Sequence, residues 1–200
     1  MPPSTLPPAH ARLPERPAHA PVPGEVIPSH YRWCYGCGTD HPAGLGIQVT
    51  AAEGLRVVGE FDVSTLHQGA PGLAHGGLLT AAFDEVLGNL NWLLGDPVVT
   101  VRIETDFRKP VPVGALLRIE AEVTGVVGRK VYTSAVGRLA SRRGQADGDV
   151  AVVAAALFLR VPIEHFVAHG NPDQIAEAIA DRAAGGPAWR AGDQDFEVNV

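Results

Sequence analysis

The sequence predicts an α+β fold in which an antiparallel sheet wraps around one long central helix. Three observations carry this. The segment "LLTAAFDEVLGNLNWLL" is apolar nearly all round, and such a helix has to be buried. Several other segments alternate apolar and polar residues with period two, as strands covered on one face do. Their order along the chain is strand, strand, helix, then a meander of four strands, and a curled sheet around one helix buries every apolar face in that list.

The elements follow in order. Residues 1–28 are rich in Pro and Ala with little periodicity, which predicts a disordered or surface-held arm. "LGIQVTA" and "LRVVGEFD" read as two strands around the turn Ala52-Glu53-Gly54. The loop "HQGAPGLAHGG" leads into the helix, which stops at Gly95-Asp96-Pro97. "VVTVRIETDFRKP" alternates, with Val99, Val101, Ile103, Thr105 and Phe107 on one face and Thr100, Arg102, Glu104, Asp106 and Arg108 on the other. "LLRIEAEVTGV" turns at Val127-Gly128 into "KVYTSAVGRLA". After the loop "ASRRGQADGD", "VAVVAAALFLRV" is apolar on both faces and is predicted to be an interior strand. The main domain is placed at 29–163. Residues 164–200 form an extension with a short helix, "NPDQIAEAIADRAA", in which Ile175, Ala178 and Ile179 share a face; Gly185, Gly186 and Pro187 end it before a tail.

Composition narrows the function. The 200 residues carry a formal charge of −6, so a general basic field for nucleic acid is excluded. No apolar run is long enough to cross a membrane, and the N-terminus lacks the basic start and apolar stretch of a signal peptide. Two cysteines make no disulfide framework. The expected compartment is the cytoplasm.

The chemistry is expected at "AHGGLLTAAFDEVLG". Gly76 and Gly77 stand where the loop becomes the helix, and the first N–H groups of a helix, with its dipole, can hold an anion or a developing oxyanion. A glycine-rich entry also serves turning alone. Asp84 adds weight, because a carboxylate amid so apolar a helix is costly without a purpose or a partner. A bond to a neighbouring strand is the structural alternative. Gly77, Ala81, Gly88 and Asn91 share its face as a stripe of small residues. Glu85 points about 100° away and ranks second as candidate acid. Asp84 lies roughly 12 Å along the helix from Gly76, too far for both to serve one small reacting centre. Two antiparallel helices related by a two-fold axis would bring Asp84 of one chain to Gly76 of the other, so a homodimer, or a dimer of dimers, with shared sites is predicted.

With these residues in view, the chain resembles hotdog-fold acyl-CoA thioesterases of the PaaI-like, THEM-type branch over roughly residues 31–161. "CYGCGTDHPAGLGI", "HQGAPGLAHGG", "FDEVLG" and "DFRKPVPVGALLRIEAEV...GRKVY" carry the resemblance. It implies that Gly76 supplies an oxyanion-hole N–H and that Asp84 of the partner subunit is nucleophile or general base. Thr100 assists, and His75 orients the loop or holds the thioester carbonyl. Gln68 stands loosely where a polar, water-holding group is common, with Gly77 beside the site. Coenzyme A would be held by Arg129 and Lys130 after the turn at Gly128, and by Lys109. No cofactor is implied beyond the coenzyme A of the substrate. A hydratase or dehydratase on the same fold ranks lower, because no D-x-N-P-x-H stretch is present. A protein that binds acyl-CoA without turning it over is the other alternative.

Cys34 and Cys37 form a C-x-x-C with His30 and His41 on either side. Zinc wants four ligands, and a second ligand pair is missing. A redox pair would favour a βαβ setting, also missing. The segment is therefore read first as a tight, partly buried turn packing the N-terminal edge of the sheet, with no metal assigned, and a zinc site completed by the histidines is the alternative.

Overall fold

A computed structural model describes residues 3–141, 143–145 and 148–183. The predicted stop at Gly185–Pro187 and the tail after it lie outside the described residues. Strands β1 (Val26–Ile27), β2 (Gln48–Ala51), β3 (Arg56–Asp62), β6 (Val98–Phe107), β7 (Leu116–Val127), β8 (Lys130–Ala140) and β9 (Val150–Arg160) form one antiparallel sheet. β4 (Gln68–Ala70) and β5 (Leu73–Ala74) make a small hairpin ahead of helix α1 (Gly76–Asn89). Two further helices follow the sheet, α2 (Ile163–His169) and α3 (Pro172–Ala183). This is the predicted sheet wrapped on a central helix.

The sheet order is β1-β2-β3-β7-β8-β9-β6. The last four strands are therefore not the simple meander expected: β7, β8 and β9 are consecutive neighbours, but β6 returns to pair with β9 at the sheet edge. β9 is interior, flanked by β8 and β6, as its two apolar faces require.

Close backbone approach seats α1 on the concave face. A Cβ on Gly59 of β3 would stand 2.3 Å from Val86 Cγ2, and one on Gly137 of β8 would stand 2.7 Å from Phe83 Cζ. No larger residue fits at either place with the helix at this depth. Leu79, Phe83, Val86 and Leu87 fill the interface against Phe61, Leu117 and Ile119. Each such side chain contributes about 1.5–3 kcal/mol on burial. After Asn89 the helix tightens into a 3-10 turn, Leu90–Leu93. The turn rotates Asn91 fully into the core, so Asn91 leaves the small-residue stripe to which regular helical spacing assigns it.

The N-terminal segment lies along the opposite face of the sheet. Thr5 is buried and donates to Glu104 at 2.5 Å. Pro7 and Ala11 pack on Gly125, and Arg12 bridges to Val126. Arg16 donates to the carbonyls of Ala52 and Gly54 at 2.7 and 3.0 Å. The sequence reading missed α2, whose Pro162 N-cap and Ile163/Phe166 spacing are its only local signals.

Candidate active site

The helix entry is built by its own residues. His75 is the N-cap, and its Nδ1 accepts the Gly77 N–H at 3.0 Å. The His75 carbonyl accepts from Leu78 and Leu79. Among the described residues no group accepts the Gly76 N–H, so it is the one donor of the first turn left to point outward. His75 itself is held from behind, its N–H donating to the His67 carbonyl at 2.8 Å. A Cβ on Gly69 would meet the His75 Cα at 2.8 Å, so the hairpin and the cap close tightly on each other.

Asp84 lies in the middle of α1, half-buried, and Thr100 donates to its Oδ1 at 2.9 Å. Burial raises its pKa above the ordinary carboxylate range; the Thr100 hydroxyl partly offsets this, and negative charge at Cys34 adds to it. Thr100 reaches Asp84 because β6 is bulged. The pairing with β9 shifts between Thr100 and Arg102. The extra residue reverses which side chains face the helix. Before the bulge Thr100 faces α1; after it Ile103 packs on the core and Thr105 lies 3.4 Å from Thr80. The uninterrupted alternation in the sequence sets Thr100 on the face opposite Ile103, and the bulge corrects that.

Asp84 and Thr100 open into a cavity of about 480 Å³. Gly88, Trp92, Val98 and Phe158 line it, together with Phe166 of α2 and Ile175 of α3. Gly76 and His75 do not line it. His75 caps and Gly76 opens the helix that carries Asp84, and eight residues of rise keep Gly76 roughly 12 Å away.

The remaining predicted residues do not converge in one chain. Gln68 Oε1 accepts the Gly72 N–H at 2.9 Å, and Gly72 takes the positive φ of +77° that this hairpin turn needs. Gln68 is thereby part of the turn and away from Asp84. Arg129 donates to the Arg160 carbonyl at 3.0 Å, and Lys130 pairs in register with Leu159, at the Asp84 end of the sheet. Lys109 forms an ion pair with Asp149 at 2.6 Å beyond the far end of β6. The ten residues of β6 between these ends span roughly 30 Å, so no single ligand in one chain meets all three cations.

Glu85, next to Asp84, turns the other way. Its carboxylate enters the cysteine turn, where donor atoms of His30, Cys34, Cys37 and Glu85 all lie within 4.8 Å of one another. His41 stays out, stacked edge-on against Tyr35 at 5.3 Å. Glu85 was the member invisible in the sequence, because it comes from another element 51 residues from Cys34.

A model of the thioesterase superfamily matches residues 71–145, from the hairpin through the loop after β8. Acyl-coenzyme A thioesterase THEM4 of Xenopus laevis is 30% identical over 53% of this chain and 46% of its own length. Acyl-coenzyme A thioesterase THEM5 of Mus musculus is 32% identical over 48% of this chain and 37% of its own length. The chain thus spans less than half the length of these relatives. A crystal structure of a thioesterase superfamily protein superposes with a TM-score of 0.58 at 26% identity, covering 70% of each chain. The sheet order and the buried central helix are those of the hotdog fold, and residues 71–145 are similar to the thioesterase superfamily.

Proposed function

We propose that the protein hydrolyses an acyl-CoA thioester to the free acid and coenzyme A. The observation that supports this most is Asp84, a half-buried carboxylate held by Thr100 at the wall of a cavity large enough for an acyl group. Asp84 takes a proton from water, the hydroxide attacks the thioester carbonyl, and the Gly76 N–H receives the charge that develops on the carbonyl oxygen. The tetrahedral intermediate then expels the thiolate of coenzyme A. The relatives named as acyl-coenzyme A thioesterases are in keeping with this chemistry.

The site is completed by a second copy of the chain. β6 is an edge strand, with Val101 and Phe107 exposed on it, and an unpaired edge is a template for another strand. Antiparallel pairing of two β6 strands about a two-fold axis between Ile103 and Glu104 sets Thr100 of one copy opposite Phe107 of the other. Thr100 binds Asp84, and Phe107 is the residue against which Gly76 packs. The same symmetry brings Lys109 of one copy toward the Arg129 and Lys130 end of the other, where they would meet the phosphates of coenzyme A.

Turnover of a panel of acyl-CoA esters, read as released thiol, tests the activity. Saturable binding with no thiol release from any ester would leave the acyl-CoA-binding reading in its place. Light scattering tests the assembly, and an active, monodisperse monomer would exclude the shared site.

A further inference from the structure

We propose that His30, Cys34, Cys37 and Glu85 form a tetrahedral binding site for a thiophilic divalent cation, zinc by its donor chemistry. This inference stands independently of the thioesterase reading. The set is two sulfurs, one imidazole nitrogen and one carboxylate oxygen, a combination that suits zinc and leaves no open position.

The geometry is close to that of a loaded site. Metal–ligand bonds of about 2.0–2.3 Å at tetrahedral angles put neighbouring donors roughly 3.3–3.8 Å apart. Here Cys37 Sγ lies 3.2 Å from His30 Nδ1, and Cys34 Sγ lies 3.5 Å from Glu85 Oε2. Both oxygens of Glu85 are accounted for. Asn89 donates to Oε1 at 2.8 Å, which fixes the carboxylate and leaves Oε2 facing the sulfurs. The sulfurs have their own outer donors. The Gly36 N–H points at Cys34 Sγ at 3.3 Å, and the Ser29 hydroxyl stands 3.4 Å from Cys37 Sγ and 3.0 Å from the Tyr31 carbonyl, with one proton to give. Such outer contacts hold metal ligands in orientation.

The glycines of "CYGCG" make the site sterically possible. A Cβ on Gly36 would stand 2.2 Å from Glu85 Oε2, so any other residue there would drive the carboxylate out. A Cβ on Gly38 would stand 2.4 Å from the Cys34 carbonyl, which Gly38 N–H already engages at 2.9 Å. The turn is folded tightly around the point where the four donors converge.

Charge points the same way. Two thiolates and a carboxylate this close repel one another. A dication offsets that repulsion. It also clips residues 30–37 onto the helix that carries Asp84, at the cavity wall that His30 and Tyr31 help to form.

The test is metal binding by the full chain. The reduced, metal-free protein is titrated with Co²⁺ and then with Zn²⁺. The expected result is a thiolate-to-cobalt charge-transfer band with intense tetrahedral d–d bands, saturating at one equivalent and lost on adding Zn²⁺. Elemental analysis of protein produced with zinc supplied should find one zinc per chain. Cys34→Ser with Cys37→Ser should abolish the charge-transfer band. Glu85→Gln should weaken cobalt binding by about tenfold or more, as expected when an oriented ligand set is disturbed. The wild-type titration needs no variant to fold. No thiolate band in it, a Cys34–Cys37 disulfide that forms in place of metal uptake, or stoichiometric metal retained by the double serine variant would each overturn the site.

Discussion

Replacing Asp84 by Asn removes one proton acceptor and little else. The Asn carbonyl oxygen still accepts from Thr100, which now lies 2.9 Å from Asp84 Oδ1. The lost charge costs that bond part of its strength, from about 1.5–3 kcal/mol for a charged partner to about 0.5–1.5 for a neutral one. Removal of a carboxylate whose pKa is raised mainly by burial offsets the loss, so stability should stay within about 1 kcal/mol. Catalysis should not. General-base help is worth about 10²–10⁴ in rate, or roughly 2.7–5.4 kcal/mol of barrier. A complementation assay adds the assembly to the test. Gly76→Pro is a suitable partner lesion. Proline is tolerated at the first helical position, His75 before it already has φ −72° and ψ 131°, which proline demands of its neighbour, and only the N–H is lost. Each variant alone should be inactive. Random pairing of equal amounts puts about half of the chains in mixed dimers with one of two sites intact, so co-refolding should recover about a quarter of wild-type activity. Thiol release by Asp84→Asn at the wild-type rate would remove Asp84 from the chemistry. Mixed dimers, verified by mass, with no recovery would show that Gly76 and Asp84 do not share a site.

Thr100→Ala should lower kcat by about 10- to 100-fold, the equivalent of one hydrogen bond to a charged group, while circular dichroism shows the fold intact; an unchanged kcat would make Thr100 a bystander. Phe83→Ala, at a fully buried position on the core face of α1, should cost about 3–5 kcal/mol in urea unfolding. Gly59→Ala, with its methyl driven 2.3 Å from Val86, should cost about 1–3 kcal/mol through overpacking. His67 should make the fold acid-sensitive. Burial lowers its pKa below 6.5, and its Nδ1 accepts the Ser64 N–H at 2.9 Å, which needs the ring neutral. The unfolded chain therefore binds a proton first, and stability falls as pH drops from 6.5 toward the folded value, by at most about 1.4 kcal/mol per pH unit. His67→Gln should flatten that slope in denaturant titrations, and an identical slope would assign it to other groups.

What the sequence revealed and what it hid separate along one physical line. Asp84 was legible because a charge in an apolar helix violates a local rule, and the strands were legible because each buries one face. Non-local pairing was not. Nothing in "VVTVRIETDF" tells that its strand joins β9 instead of β7, and a register shift in that pairing reverses the face of Thr100. The resemblance placed Thr100 beside the acid while its own alternation placed it opposite. Glu85 was ranked second as candidate acid, and its place beside the cysteines was hidden because they come from a turn 51 residues away in the chain. Arg129, Lys130 and Lys109 were grouped by charge and by turns, and only the strand register separates them to opposite ends of the sheet.

The same register bears on the proposed shared site, in which Asp84 is the base and Gly76 the oxyanion donor. With α1 seated at Gly59 and Gly137, helical rise alone separates its N-terminus from Asp84, so the two cannot both reach one cavity. A monomer could bring them together only by bending α1, which would lift Phe83 or Val86 out of the two glycine notches at a cost of several kcal/mol. The antiparallel dimer proposed above would achieve the approach without bending anything. Thr100 and Phe107 mark the Asp84 and Gly76 ends of one strand, and a two-fold axis between them exchanges the ends. The bulge at Thr100 then has a specific use: without it Thr100 would face away from the helix, and Asp84 would lose the hydrogen-bond partner that it has here.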